Sequence, residues 1–241
     1  MELKEGSNVE KLSTATQVLE PQARQQGRKL DYRTSGHKQG PVARLMSPSD
    51  VGEMIKPFVF LDLFGFDSRL APMPMDVLWH PHSGIATVTV MLEGEVRYAD
   101  TIGKEGVLPA GGVEWMRASN GVWHTGEAKG RAKGFQLWVA LPPELENAAN
   151  ASHYVAPKDV PDEGPARVIL GAYGKAKRPV AAPPMTYLAV NLKDGERWTY
   201  QPPAGHDVPW ATTRCTRMRR RCGRVRRRSG GSAGSCAPSG R

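Results

Sequence analysis

Cysteine is nearly absent from this chain of 241 residues, which contains only Cys215, Cys222 and Cys236, all near its C-terminus. Six and thirteen residues separate them, which matches neither a CxxC redox pair nor a paired zinc-binding motif, and no histidine lies among them. Because the first 214 residues contain no cysteine, neither a disulfide framework nor a structural zinc site is expected.

Long hydrophobic runs are also missing. The apolar stretch at residues 58–61 is followed at once by Asp62, and the one at residues 137–141 has only five residues, whereas a membrane-spanning helix needs roughly 20 apolar residues. The first 30 residues carry scattered charges and lack the apolar segment of a secretory signal. No membrane association is therefore expected, and a cytoplasmic location is the prediction.

The net charge of +9 is concentrated at one end of the chain. Residues 211–241 contain ten arginines and no lysine, aspartate or glutamate, and subtracting these ten positive charges from +9 leaves −1 for residues 1–210. The part expected to fold is therefore close to neutral, and nucleic acid is not an expected partner of it.

Short strands separated by glycine and proline turns are predicted across residues 79–141. Residues 87–92 are rich in β-branched side chains, Glu93 and Gly94 form a turn, and residues 96–98 return as the second strand of a hairpin. Residues 135–141 place apolar side chains at every second position, as in a strand with one face on a core. This pattern predicts an all-β sandwich or barrel.

A second group of strands is predicted at residues 167–170, 186–190 and 197–200, after a linker that contains a short helical turn. The alternation of apolar residues stops after Trp210. The second β-domain is therefore predicted to be incomplete.

The sharpest local signal is His80-Pro81-His82. On a strand, residues i and i+2 point to the same face, so both imidazoles can approach one metal ion while Pro81 faces away. Neutral imidazoles suit iron, copper, nickel or zinc. Taken alone, the pair could also be incidental and have no ligand.

Four segments together resemble the pirin family of two-domain cupins. They are WHPHSGIATVTVMLEGEV from residue 79, LPAGG from 108, ASNGVWHTGE from 118 and GFQLWV from 134, in the family's order and spacing. The resemblance extends from about Arg33 to about Asp207. It implies a bicupin, with the double-stranded β-helix or jelly-roll fold and an incomplete second barrel. The expected parts are a flexible arm (1–32), a metal-bearing N-terminal cupin (33–145), a partial C-terminal cupin (146–210) and a disordered arginine-rich tail (211–241).

The resemblance also implies a metal site in the first barrel. Its ligands fall on His80, His82 and His124, and its cofactor is one divalent transition metal, with Fe(II) as the expected ion. The family's fourth ligand, a glutamate, is replaced here by Gly126. Glu127 follows directly and is expected either to turn inwards as the catalytic base or to be a solvated loop residue.

Other residues near these motifs have less specific interpretations. Ala86 stands where many relatives have a glutamate. Four tryptophans are expected to divide between core and the wall of a pocket for a flat aromatic substrate: Trp79, Trp115, Trp123 and Trp138. The remaining histidines, His37, His153 and His206, are expected to be solvated.

The function implied by the resemblance is that of a metal-dependent oxidoreductase similar to pirin-type quercetin 2,3-dioxygenase, with a small, flavonol-like aromatic substrate. Enzymatic activity itself stays open. One alternative is a metal-containing, redox-sensitive regulatory or binding protein without catalysis, and another is a catalytically silent remnant.

The arginine-rich tail has two interpretations. It could be a nuclear-localisation or nucleic-acid-binding extension, or the product of GC-rich codons read out of frame, since Arg, Gly, Ser, Ala, Cys and Pro dominate it. We favour a frameshift near Trp210, because pirin-family members continue there with further strands. The unpaired strand edges left in the second domain would then favour self-association.

Sequencing the gene tests the frameshift. Restoring a single base near the codon for Trp210 should reveal further alternating apolar strands downstream. An intact reading frame without such strands would refute the hypothesis.

Overall fold

The computed structural model describes residues 30–71, 78–178, 185–206 and 208–213. By internal contacts the chain divides into two units, Met1–Ser35 and Gly36–Arg241. Of the first unit, residues 30–35 are described, and they form neither helix nor strand. The predicted arm and arginine-rich tail, with its frameshift, lie almost wholly outside the described residues. The domain boundaries given above stay predictions.

Among the described residues of the second unit, the regular secondary structure is almost all β-strand, as predicted. The strands are β1 (His37–Gln39), β2 (Val42–Met46), β3 (Phe58–Asp67), β4 (His80–His82), β5 (Ile85–Glu93), β6 (Glu95–Asp100), β7 (Glu105–Pro109), β8 (Val113–Ala118), β9 (Val122–Ala128), β10 (Arg131–Ala140), β11 (Ala151–Val155), β12 (Asp162–Glu163), β13 (Ala166–Tyr173), β14 (Ala176–Arg178) and β15 (Tyr187–Val190). A four-residue helix α1 (Pro143–Glu146) lies between β10 and β11, and a 3₁₀ turn (Pro157–Asp159) lies between β11 and β12. Among the described residues, no helix has the length and apolar character needed to cross a membrane.

Three antiparallel sheets organise these strands. The largest has seven strands in the order β1-β2-β3-β10-β5-β8-β11, and a second has the order β4-β9-β6-β7. The third contains β12, β13 and β14, with β15 also paired to β13. The two strands predicted on either side of Glu93 and Gly94 are present as β5 and β6, but the predicted pairing between them is wrong: β5 pairs with β8 and β10, whereas β6 lies in another sheet and pairs with β7 and β9.

The seven-stranded sheet has two differently used faces, because side chains alternate along each strand. Val88, Val113 and Trp115 point to one face and belong to a buried apolar core that also includes Ile169 and Leu170 of β13. The opposite face lines a cavity with polar side chains, among them Thr89, Glu114 and Gln136. Burial on both faces explains why β5 has an almost continuous run of buried residues.

Two segments differ from the sequence prediction. Residues 151–155, interpreted as part of a linker, form β11 and pair with β8 at the edge of the largest sheet. Residues 197–200, predicted as a strand, are irregular. Trp198 and Tyr200 instead pack against Tyr173, and Trp198 donates its indole N–H to the Tyr173 hydroxyl at 3.0 Å. Aromatic packing has thus replaced strand pairing in this segment.

Gly134 lies at a close contact in the middle of the largest sheet. A Cβ atom there would stand 2.5 Å from Cζ of Phe64 and 2.7 Å from the carbonyl oxygen of Val90. The missing side chain therefore makes room for the Phe64 ring, which lines the cavity.

Replacing Gly134 with alanine is therefore expected to destabilise the fold. The added methyl group cannot be accommodated without backbone movement, so Gly134→Ala should lower the free energy of unfolding by about 1–3 kcal/mol. Gly65→Ala is the matched control, because a Cβ on this exposed residue of the neighbouring strand β3 meets nothing within 4 Å. Thermal unfolding followed by circular dichroism should separate the two variants, and equal melting temperatures would contradict the prediction.

Candidate metal centre

The pairing of β4 with β9 brings the three predicted histidines together. In this register His80 lies directly opposite His124, and His82 lies opposite Val122. Cross-strand partners share a face of the sheet, as do residues i and i+2 of one strand. The ring centroids of His80 and His124 are 4.4 Å apart, and His82 is 5.0 Å from each of them.

Hydrogen bonding selects the nitrogen that each ring presents. Nδ1 of His80 lies 2.8 Å from the carbonyl oxygen of Leu78. Because a carbonyl oxygen only accepts, Nδ1 must donate, which leaves a lone pair on Nε2. Nδ1 of His124 lies 3.6 Å from Oε1 of Glu114, and a carboxylate likewise favours the proton on Nδ1. Both rings therefore turn an unprotonated Nε2 towards the centre.

His82 contributes a third nitrogen. Its ring is buried, and its Nε2 atom has no hydrogen-bond partner in the described part of the protein. Burial is the main cause that lowers the pKa of His82 to about 4, and protonation of the neighbouring His124 or His80 ring would oppose a charge on His82 further. The ring is therefore neutral at physiological pH, which is the form that binds a metal ion.

These three rings form a donor set that suits a metal ion. One nitrogen of each lies within 4.8 Å of the others. The Nε2 atoms of His80 and His124 are only 3.0 Å apart, although both carry lone pairs in the tautomers assigned above. Facing lone pairs repel unless a cation or a proton lies between them. The orphaned nitrogen of His82 and this close pair both fit a divalent transition metal, for which imidazole is a preferred ligand.

A cavity of about 530 Å³ opens beside the histidines. This volume lies within the usual range for small-molecule sites. Apolar, aromatic and polar side chains all contribute to its wall. Its lining includes Phe64, Phe66, Val96, Leu108, Tyr98, Tyr154, Trp138, Thr89, Gln136 and Glu114. A flat aromatic molecule would find both stacking surfaces and hydrogen-bonding groups here.

Comparison with known proteins agrees with this geometry. The protein family described as Pirin matches residues 40–139. A Pseudomonas aeruginosa protein named "Putative quercetin 2,3-dioxygenase PA2418" is 34% identical over 73% of this chain and 67% of its own length. The chain belongs to the pirin family. A second protein of that organism, "Putative quercetin 2,3-dioxygenase PA3240", is 35% identical over 65% of this chain.

Structural comparison gives the same family and the cupin fold. The crystal structure of quercetin 2,3-dioxygenase from Acinetobacter baumannii matches with a TM-score of 0.51 and 30% identity, covering 60% of this chain and 56% of that one. The match also spans only 59% of the PA3240 protein. The matched part of this pirin-family chain therefore spans between 56% and 67% of the length of these three proteins.

Besides the histidines, the family pattern singles out Gly126, Glu127 and Ala86, and each of them has a different surrounding in the structure. Gly126 lies on the His124 side of β9 and lines the cavity, and a Cβ there would meet nothing within 4 Å. Glu127 is exposed on the other face of β9, opposite Arg97 of β6, and is not brought to the histidines. The predicted role of Glu127 as base gains no support from this placement. Ala86 is fully buried in the apolar core, so its position does not face the cavity.

Glu114 was not singled out from the sequence, yet it is the buried carboxylate beside His124. The Thr89 hydroxyl donates to its Oε2 at 2.5 Å. Burial alone would raise the pKa of Glu114, but contact with His124 and hydrogen bonds from Thr89 and Tyr154 outweigh this and hold it below its usual value. The available signal was an acidic residue inside a buried strand, between Val113 and Trp115.

The aromatic residues divide differently from the prediction. Trp115 belongs to the apolar core and Trp138 lines the cavity, with its ring edge against His82 at 4.8 Å between centroids. Trp79 and Trp123 are each 51% exposed and are neither core nor lining. They are exposed because they alternate with His80 and His124, which point inwards.

Two tyrosines complete the wall near Glu114. The rings of Tyr98 and Tyr154 stack at 3.5 Å between centroids, and the single Tyr154 hydroxyl proton is shared between Asp100, at 3.2 Å, and Glu114. Burial and the negative charges of Glu114 and Asp100 raise the pKa of Tyr154 well above its usual value. Tyr154 therefore keeps its proton and acts as a hydrogen-bond donor.

Removing one donor should abolish stable metal binding. In His82→Ala, the metal content of purified protein, measured by elemental analysis, should fall from about one ion per chain to background, since two imidazoles rarely suffice. His153→Ala is the control, because His153 is exposed on β11 and should keep the wild-type content. Equal metal content in the two variants would exclude His82 as a ligand.

Proposed function

We propose that this chain is a cupin dioxygenase that uses one Fe(II) ion, held by His80, His82 and His124, to act on a flavonol-like aromatic substrate. The observation that carries the proposal is the convergence of three imidazoles, with Nε2 of His80 and Nε2 of His124 3.0 Å apart and Nε2 of His82 without a hydrogen-bond partner among the described residues. The close approach of the first two nitrogens is unfavourable without a shared positive charge, and it supports a bound metal. Similarity to the Acinetobacter baumannii quercetin 2,3-dioxygenase supports the reaction class.

The metal and the cavity have separate tasks in this proposal. When bound, the ion supplies Lewis acidity towards substrate oxygens and electrons for dioxygen chemistry. The three imidazoles hold it through neutral nitrogens and leave further coordination positions open. Tyr98 and Trp138 offer stacking surfaces that orient a flat ring, while the Gln136 amide can bond a substrate hydroxyl.

The apolar part of the cavity has a complementary task. Phe66 and Leu108 pack with Phe64 and Val96 in one apolar cluster of the wall. They exclude water from the volume that the substrate would fill, which strengthens every polar contact inside it. Glu127 is not carried forward as the base, because it is exposed on the opposite face of β9.

A second candidate is a metal-containing, redox-sensitive regulatory or binding protein without catalysis. Gly126 favours it, because the position two residues after His124 has no side chain to donate an anionic ligand. Three neutral ligands leave more positive charge on the ion and bind Fe(II) less tightly than a set with a carboxylate. Self-association, a cytoplasmic location and the lack of membrane and nucleic-acid partners stay predictions from the sequence.

Oxygen consumption separates the two candidates. Protein reconstituted with Fe(II) under anaerobic conditions should, on addition of air and quercetin, consume dioxygen while the visible absorbance of the flavonol disappears. Metal-free protein should consume no dioxygen, and His82→Ala treated with Fe(II) should consume it only as fast as free Fe(II) does, because the substrate contact depends on the bound ion. An oxygen electrode and an absorbance spectrum recorded in parallel give both quantities.

The controls decide the interpretation. His153→Ala should retain the wild-type rate, since it leaves the site intact. Protein that binds one equivalent of metal but consumes oxygen no faster than free Fe(II) would reject the dioxygenase and favour the binding protein. Protein that binds no metal would reject both.

A further inference from the structure

Glu114 is a buried carboxylate that the proposed reaction has not used. It is 5% exposed, and its two oxygens have different neighbours. Oε2 accepts the Thr89 hydroxyl at 2.5 Å, and Oε1 faces Nδ1 of His124 at 3.6 Å. A carboxylate in such a place is costly unless positive charge or hydrogen-bond donors compensate it. Its position beside a ligand histidine therefore calls for an explanation.

We propose that Glu114 is a positioning residue of the metal centre, which holds the Nδ1 proton of His124 and supplies the negative charge that the ligand set itself lacks. This inference rests on the proposed metal site. A carboxylate behind a histidine ligand fixes its tautomer and ring orientation and makes the other nitrogen more basic. Nε2 of His124 then binds a cation more tightly.

The alternation of side chains along β8 and β9 explains why the negative charge near His124 belongs to a residue of β8. His124 and residue 126 share one face of β9, but Gly126 carries no side chain, and the next residue, Glu127, points to solvent. Glu114 reaches the same cavity from the facing sheet, because alternation along β8 turns Glu114 inwards and Trp115 into the core. The negative charge therefore stands behind a ligand instead of on the metal.

The Thr89 hydroxyl gives Glu114 a fixed orientation. Thr89 is opposite Glu114 in the pairing of β5 with β8, so the two side chains are cross-strand neighbours. Its hydrogen bond to Oε2 leaves Oε1 directed at His124. The Thr89, Glu114 and His124 side chains thus form a chain of contacts that ends at the metal site.

Metal affinity tests the proposal without any activity assay. Co(II) is the probe, because competition with a chromophoric chelator gives its affinity and its visible spectrum reports its coordination. Glu114→Gln keeps the shape and one oxygen acceptor but removes the charge, and it should weaken Co(II) binding by about 10- to 100-fold. Asp62→Asn is the matched control, since Asp62 lines the same cavity but bonds Arg44 and lies three strands from Glu114, roughly 14 Å away.

A compensating variant distinguishes lost charge from a damaged fold. Position 126 has room for a side chain on the His124 face, so Gly126→Glu should place a carboxylate at the metal. In the Glu114→Gln background, Gly126→Glu should restore most of the lost Co(II) affinity and shift the visible spectrum. If Glu114→Gln had instead damaged the fold, a new carboxylate at position 126 would not produce these two changes. Failure of this rescue would overturn the role of Glu114 as the source of charge.

Other outcomes are equally decisive. Wild-type affinity in Glu114→Gln would refute the proposal for Glu114 and leave the metal centre standing, whereas a wild-type chain that binds no Co(II) would refute both. If Glu114→Gln does not fold, Thr89→Val replaces it, because loss of the hydroxyl releases Oε2 and should lower the affinity severalfold. Unchanged affinity in Thr89→Val would then overturn the proposal.

Discussion

The antiparallel pairing of β4 with β9 is the constraint on which the site depends. It places His80 opposite His124, 44 residues further along the chain, and so joins donors from two distant segments. The side-chain period of a strand is two, so a slip of one residue would turn His124 to the solvent side and bring Trp123 inwards. The exposed Trp79 and Trp123 oppose such a slip, because either indole would have to enter the space that the imidazoles occupy.

The seven-stranded sheet extends the same alternation to the rest of the molecule. On its inner face, Thr89, Glu114 and Gln136 form one row of cross-strand neighbours on β5, β8 and β10. On its outer face, Val88, Trp115 and Leu137 form the corresponding apolar row, which packs with residues of β13. A single sheet therefore carries both the polar wall of the cavity and the core that keeps it rigid. Mutations in the apolar row would reach the metal centre through the backbone of the same strands.

The features that depend on residue spacing within a single strand were predictable from the sequence. The His80-Pro81-His82 pattern, the turn at Gly94 and the family resemblance predict the all-β cupin fold and three histidines that the structure brings together. Glu114 was missed because its role depends on pairing with β5, a contact between residues 25 positions apart that no local pattern reveals. The nearness of Glu127 to His124 in sequence suggests a base, with a solvated loop residue as the alternative, and adjacent residues of a strand point to opposite faces. The strand predicted at residues 197–200 failed because aromatic packing against Tyr173 replaced pairing.

The positive charge of a bound metal ion and the negative charge of Glu114 must be considered together. Three neutral imidazoles would leave a divalent ion with nearly all of its charge, in a cavity where low polarity lengthens the reach of every electrostatic interaction. A buried carboxylate such as Glu114 is equally unfavourable by itself, and Thr89 and Tyr154 donate neutral hydrogen bonds that offset only part of its desolvation. Each charge therefore lowers the cost of burying the other, with the His124 ring between them. In the proposed metal centre, metal binding and the ionised state of Glu114 are thermodynamically linked, and Glu114 supplies from behind His124 the negative charge that Gly126 cannot donate directly to the metal.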